Sequence, residues 1–241
     1  MRRDAASLVL DPSQAAVVPI AFDSEAFGFP FYRVSRVLAA PLVAELAALK
    51  QRGPFAADAK CRAEDIENSR ILMDCGFRKV CMQVTLMRHL EPAASASSEC
   101  VAFADRLEIG EAELHRHARN FTADRFALDP LLPSEGHDRL YAAWLRNSLG
   151  GAAQVAYVGR NLCTFTIRGD ELVIDLVSIL DHRQGIGSRI LHSVVGRAAE
   201  LGLRAVRVTT ECENVAAWSM YMKQGFTPIS YTACFHLFHE G

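Results

Sequence analysis

The sequence predicts a mixed α/β fold: a mainly antiparallel sheet with flanking helices, built in two unequal parts. Three observations carry this. Gln154–Val158, Leu162–Arg168 and Leu172–Ile179 are apolar or alternating runs separated by Gly-Arg-Asn and Gly-Asp turns, the pattern of consecutive antiparallel strands. Ile186, Ile190, Leu191, Val194, Val195 and Ala198 then recur at helical spacing, and Gly202 stops that helix. Finally, Glu91-Pro92-Ala93-Ala94-Ser95-Ala96-Ser97-Ser98 is small and polar, the composition of a linker.

That linker divides an N-terminal part, residues 1–95, from a C-terminal part, residues 98–241. In the second part Val101–Ile109 reads as a first strand, and Glu111–Asn120 and Asp138–Leu149 as helices. The three strands above follow, then a helix over Ser188–Leu201 and an alternating strand over Leu203–Thr209. Asn214–Gln224 is a short helix with Asn214 as N-cap and Gly225 as C-cap. Phe226–Phe238 supplies one or two last strands. The first part ends in an echo of this order. Glu67-Asn68-Ser69 precedes Gly76-Phe77 and the apolar run Val80–Met87, as Glu213-Asn214-Val215 precedes Gly225-Phe226 and its strand. Aligned on Glu-Asn, the copies differ in helix length by three residues. The echo makes the N-terminal part a degenerate copy of the same fold, with Leu72 in the place of Tyr221 and no Gly-x-Gly turn.

The chain has 241 residues, half of them apolar, and a net charge of −2. Charges of both signs are mixed and no basic block occurs, which argues against a nucleic-acid partner. The apolar run Ala15–Phe22 is too short for a membrane span and contains Pro19, so a soluble cytoplasmic protein is expected. Seven scattered cysteines without a Cys-x-x-Cys pair read as free thiols in a reducing compartment. His115 and His117 lie on different sides of their helix, so no metal is expected there.

The chemistry concentrates at His182-Arg183-Gln184-Gly185-Ile186-Gly187-Ser188, between a strand-like and a helix-like run. Two glycines permit a tight turn. The helix N-terminus behind it carries unpaired N–H groups and partial positive charge, a cradle for phosphate. A Walker loop is excluded, because Ser188-Arg189 rather than Lys-Ser follows the second glycine. A dinucleotide fold is disfavoured, because it uses three glycines early in its βαβ unit.

A strand, a Gly-x-Gly turn and a helix, then strand, short helix and closing strands, resembles the Gcn5-related N-acetyltransferase (GNAT) superfamily. The resemblance implies a GNAT fold preceded by a partial GNAT-like domain, with acetyl-CoA as cosubstrate. It assigns the pyrophosphate to the 182–188 loop, the pantetheine arm to the backbone of Val177, Ser178 and Ile179, and Asn214 to the cofactor-binding set. It also implies that Tyr221, four residues before Gly225, is the acid for the leaving thiolate; on a bare amphipathic helix the same residue reads as core. His182 departs from the family, which usually has Arg or Gln three residues before the first glycine.

The acceptor region runs from Phe121 to Leu149. Its Arg-Phe-x-x-Asp-Pro and Leu-Tyr-x-x-Trp patterns resemble the TDP-fucosamine acetyltransferase group, as does Phe22-Asp23-Ser24-Glu25-Ala26-Phe27-Gly28-Phe29-Pro30. That implies acetylation of the 4-amino group of a nucleotide-linked amino-deoxy sugar. Arg125, Asp129 and Tyr141 are the candidate acceptor contacts; Arg139 and Arg146 suit a diphosphate, and Phe121, Phe126 and Trp144 suit stacking. Asp129 reads equally as a turn residue before Pro130, and Trp144 as helix core. Two alternatives stand beside this reading: acetylation of another small amine or a protein N-terminus, and a non-catalytic acyl-CoA-binding domain. A homodimer is compatible with the sequence, which does not fix the oligomeric state.

Overall fold

The computed structural model describes residues 16–90 and 101–241; the linker read at 91–98 lies outside them. The first half runs β1 (Val17–Pro19), α1 (Ala21–Phe27), β2 (Phe31–Val34), α2 (Ala39–Lys50), β3 (Phe55–Arg62), α3 (Ile66–Asp74) and β4 (Arg78–His89). The second runs β5 (Ala102–Ala104), α4 (Glu111–Ala118), α5 (Ser134–Asn147), β6 (Gln154–Val158), β7 (Asn161–Arg168), β8 (Glu171–Ser178), α6 (Ile186–Glu200), β9 (Ala205–Glu211), α7 (Val215–Lys223) and β10 (Thr227–His239).

These strands form one sheet in the order β1-β2-β3-β10-β4-β9-β8-β7-β6-β5. Pairing is antiparallel except between β2 and β3 and between β8 and β9. Each half gives its last strand to the other: β10 inserts between β3 and β4, and β4 pairs with β9. Alternation along the strands sends apolar side chains to both faces. One face is covered by α6 over β6–β9 and by α2 and α3 over β1–β3 and β10. The other carries α1, α4 and α5, whose Phe27, Leu114, Leu140 and Leu145 pack on Phe31, Val155, Leu162 and Leu176.

The internal echo has a stricter register than the Glu-Asn motif suggests. α3 and α7 each have nine residues and start 149 positions apart (215 minus 66). The same offset relates Leu72 to Tyr221, Gly76 to Gly225 and Phe77 to Phe226. It also relates the N-caps Asp65 and Asn214, whose side chains accept from Asn68 N and Ala217 N. The helices therefore do not differ by three residues; the structural match is cap to cap. β4 and β10 cross about a local two-fold at Gln83 and Thr232, so the pair Tyr231–Val84 mirrors the pair Ala233–Met82.

Two other expectations change, and a third is narrowed. Val101–Ile109 keeps only the short β5, because Leu107 N bonds Leu149 O instead of a strand neighbour. The helix expected at Asp138–Leu149 starts four residues early, at Ser134 behind the N-cap Pro133. The C-terminal run is a single strand of 13 residues, with an irregularity between Pro228 and Ser230 that re-aims it without ending it.

Candidate active site

β8 and β9 are parallel neighbours only from Glu171–Ala205 to Ile174–Val208. Beyond that point β8 stays on β7 as far as Ser178, and β9 stays on β4 as far as Glu211. The register on β7 jumps from Ile174–Phe165 to Leu176–Thr164, leaving Asp175 as an extra residue in β8. Such a bulge bends its strand. The parted strands leave backbone groups without a ladder partner on their facing sides, and between them opens a cleft of about 500 Å³.

One end of the cleft is the glycine turn. Asn161 Oδ1 accepts from the backbone N–H groups of Leu180 and Asp181 at 2.9 and 3.0 Å, and Asp181 takes Arg160 and Asn161 side chains. This anchors the loop at its start. Arg183 at φ 61° and Gly185 at φ 71° then turn the chain into α6, with Gly185 as N-cap. The helix presents its free N–H groups and dipole to the cleft. The two glycines have different duties. A Cβ on Gly185 would meet nothing within 4 Å, so glycine serves its backbone conformation there. A Cβ on Gly187 would lie 2.8 Å from Met220 Sδ and 3.3 Å from Ile179 Cγ1. Gly187 therefore lets α6 close on α7 and Ile179.

The next wall is α7. Asn214 caps it, and Tyr221 lines the cleft while only 4 % exposed, its ring against Phe226. Burial pushes the Tyr221 phenol well above its ordinary pKa, so it stays protonated.

The opposite wall comes from α4, the segment 119–133 and α5. Tyr141 stacks on Phe121 at 4.5 Å and beside Trp144 at 5.7 Å. Asp124 takes the His137 ring at 2.7 Å and the N–H groups of Phe126 and Ala127. Burial opposes charging of His137, but Asp124 outweighs it and raises its pKa. Arg125 lines the cleft, yet its Nη2 donates to Asp58 at 2.9 Å, and Arg33 holds the same carboxylate. Burial raises the Asp58 pKa, and the two guanidinium groups overturn that and hold it well below the ordinary carboxylate range.

Thus Tyr221, Val177, Ile179, His182, Arg183, Gly185, Ile186, Gly187, Ser188, Asn214, Arg125 and Tyr141 line one cleft. Five residues expected there do not line it. Ser178, expected for its backbone, sends its side chain to His117 Nδ1 at 2.7 Å. Gln184 lies on the exposed outside of the loop. Asp129 is consumed by Arg78, His236 and Leu131 N. Arg139 and Arg146 are spent on Ala26 O and Glu111. Asn120, Asp124, Gln83 and Glu211 line the cleft without having been singled out. Only Glu211 left a trace, as the continuation of the Arg207, Thr209 alternation.

Residues 181–226 match the family model Acetyltransferase (GNAT) family, a segment running from the glycine turn to the end of α7. Over 116 residues the chain is 28 % identical to the Bacillus subtilis spore coat polysaccharide biosynthesis protein SpsD, which covers 45 % of this chain and 40 % of that protein. A GCN5-related N-acetyltransferase from Sphaerobacter thermophilus superposes with a TM-score of 0.58 at 14 % identity, covering 88 % of this chain and 73 % of the other. One from Kribbella flavida gives 0.56 at 15 % identity, covering 94 % and 88 %. The chain has the GNAT fold over most of its length, with the GNAT family's sequence signature in its segment 181–226.

Proposed function

We propose that the chain is an acetyl-CoA-dependent N-acetyltransferase that transfers the acetyl group directly to a primary amine. The observation that carries this is the parting of β8 from β9 beside a helix N-terminus, with a buried, protonated tyrosine on the adjoining wall. These features fit acetyl-CoA. The N–H groups at Ile186–Ser188 suit its pyrophosphate, and the edge of β8 at Val177, beyond the pairing with β9, suits its amide-bearing arm. When bound, acetyl-CoA supplies the thioester carbonyl. In this reading backbone N–H groups of β8 would hydrogen-bond the carbonyl oxygen, and Tyr221 would give a proton to the thiolate.

For the acceptor we infer a nucleotide-linked amino-deoxy sugar. SpsD is named for polysaccharide biosynthesis, and the wall of Phe121, Tyr141 and Trp144 offers flat apolar surfaces to a sugar or base. Because Asp58 already opposes the Arg125 charge, Arg125 contributes fixed hydrogen-bond geometry more than a free cation. The test is thiol release from acetyl-CoA across a panel of amines that includes a TDP-linked 4-amino-4,6-dideoxy sugar. Saturable release with that sugar supports the reading. Release only with peptides or polyamines replaces the acceptor, and binding of acetyl-CoA without release from any amine removes the catalytic reading.

A further inference from the structure

Transfer to an amine requires a group that takes the ammonium proton, and the cleft holds four carboxylates. Two are occupied. Asp124 is paired with His137 and two backbone N–H groups, and Asp181 with Arg160 and Asn161. A third, Asp175, is pushed up to about 6 by burial, and the groups acting on it, Arg168 and Thr166, belong to β7 on the far side of β8. The fourth is Glu211, the last residue of β9, beyond the point where β9 leaves β8.

Glu211 is 8 % exposed and has no salt bridge among the described residues. It lies directly opposite Gln83 of β4, whose Nε2 donates to Glu211 Oε1 at 2.8 Å. The other end of that amide is fixed. Gln83 Oε1 accepts from Lys60 Nζ at 2.8 Å, so the amide can only present its N–H side to Glu211. Lys60 comes from β3 and Gln83 from β4, so the chain Lys60–Gln83–Glu211 crosses from the first half to the second. We propose that Glu211 is the base that takes the proton from the acceptor ammonium, and that the N-terminal half positions it through Gln83 and Lys60.

The proposal rests on the acetyltransferase reading. The balance is direct. Glu211 takes one proton from the ammonium, freeing the nitrogen lone pair. The C–N bond forms, the C–S bond breaks and its electron pair leaves on sulfur. The sulfur takes a proton from Tyr221. Nitrogen loses its second proton as the amide forms, that proton restores the Tyr221 phenol, and Glu211 returns its own to water. Burial raises the Glu211 pKa and the Gln83 hydrogen bond lowers it, so the carboxylate is a stronger base than an exposed glutamate. The charged and titratable groups around it are Asp124 and Arg125 of the opposite wall, Cys81 of β4, Cys212 just after β9, Cys234 of β10 and Tyr221 of α7.

The experiment has two arms. In the free protein, carboxyl ¹³C NMR follows the Glu211 titration; Gln83→Leu removes the donor and is expected to move it to higher pH. In turnover, Glu211→Gln is expected to lower kcat about 10²–10⁴-fold, to abolish the acid limb of kcat/KM, and to leave acetyl-CoA affinity within about twofold. Gln83→Leu should move that limb upward in step with the NMR titration. A limb that persists in E211Q but vanishes in Asp175→Asn overturns the proposal in favour of Asp175. So does an E211Q protein with wild-type kcat. No thiol release by the wild type with any amine overturns the acetyltransferase reading and this proposal together, whereas turnover insensitive to E211Q overturns only this one.

Discussion

In β3–α3–β4 and in β9–α7–β10 a nine-residue helix, capped by an Asp or Asn side chain, joins two strands through a Gly-Phe pair. The pairs β2–β3 and β8–β9 that precede these helices are both parallel. Yet the first copy reaches the cleft through Gln83 of β4, and only the second gives it a helix wall. Its β8 runs on for four residues beyond its pairing with β9, and seven residues lead from β8 into α6. In the first copy β2 has four residues, three of them paired to β3, and four residues lead into α2 behind the plain N-cap Leu38. The cleft therefore goes with one longer strand and its exit loop, while the strand–helix–strand frame is the same in both. At the position of Tyr221 the first copy holds Leu72, fully buried, and the polar site becomes core.

The comparison breaks most completely if the halves are separable. Residues 98–241 alone would leave β10 without β3 or β4 and β9 without β4. The expected outcome is loss of cooperative folding, read by circular dichroism melting and NMR dispersion. A fragment that melts cooperatively would make the strand exchange incidental.

Cutting less deeply, Asp58→Asn leaves Arg125 buried with its carboxylate gone and should cost about 3–5 kcal/mol in chemical denaturation. The same pair has a pH signature. Because the Asp58 pKa is depressed in the folded state, its stabilisation is present above the unfolded value of about 3.9 and is lost as pH falls below it. The wild type should therefore lose stability more steeply than D58N below that pH.

The matched pair Tyr221 and Leu72 sharpens the contrast. Leu72→Ala should cost about 2–5 kcal/mol of stability by leaving a cavity, with acetyl-CoA affinity unchanged. Tyr221→Phe keeps the ring and removes the donor. It should lower kcat by about tenfold or more while affinity stays nearly constant. Collapse of affinity in Y221F would make Tyr221 a cofactor-positioning residue instead. Calorimetry should find one acetyl-CoA per chain; two would give the first copy a site of its own.

Gly187 separates packing from approach. Gly187→Val should weaken acetyl-CoA binding about tenfold, or 1.4 kcal/mol, by displacing α6 from Met220. Met220→Ala in the same chain should restore part of it. Gly185→Ala meets no neighbour and should cost only about 1 kcal/mol of backbone strain. Equal losses in both variants would show that space at Gly187 is not what matters.

Periodicity alone separated helices from strands here, because a helix buries one stripe and a strand alternates. The helix spacing of Ile186 to Ala198, the three strands before it and the caps of α7 are local properties, legible one segment at a time. So was the glycine turn, because the backbone freedom it needs belongs to the residue itself. Partnership was not local. Nothing in Thr227–His239 says that this strand lies between β3 and β4, since an alternating strand offers the same ladder to any neighbour. Asp129, Arg139 and Arg146 looked free to meet a substrate, and the fold spends each of them on a partner about 35 to 113 positions away. Glu211 and Gln83 show the converse. Each is an ordinary polar residue at the end or middle of a strand, and only a cross-strand pairing spanning 128 positions places them together at the cleft. A side chain's chemical type is written in the sequence, but whether its charge is already satisfied depends on what the tertiary structure brings within 3 Å of it.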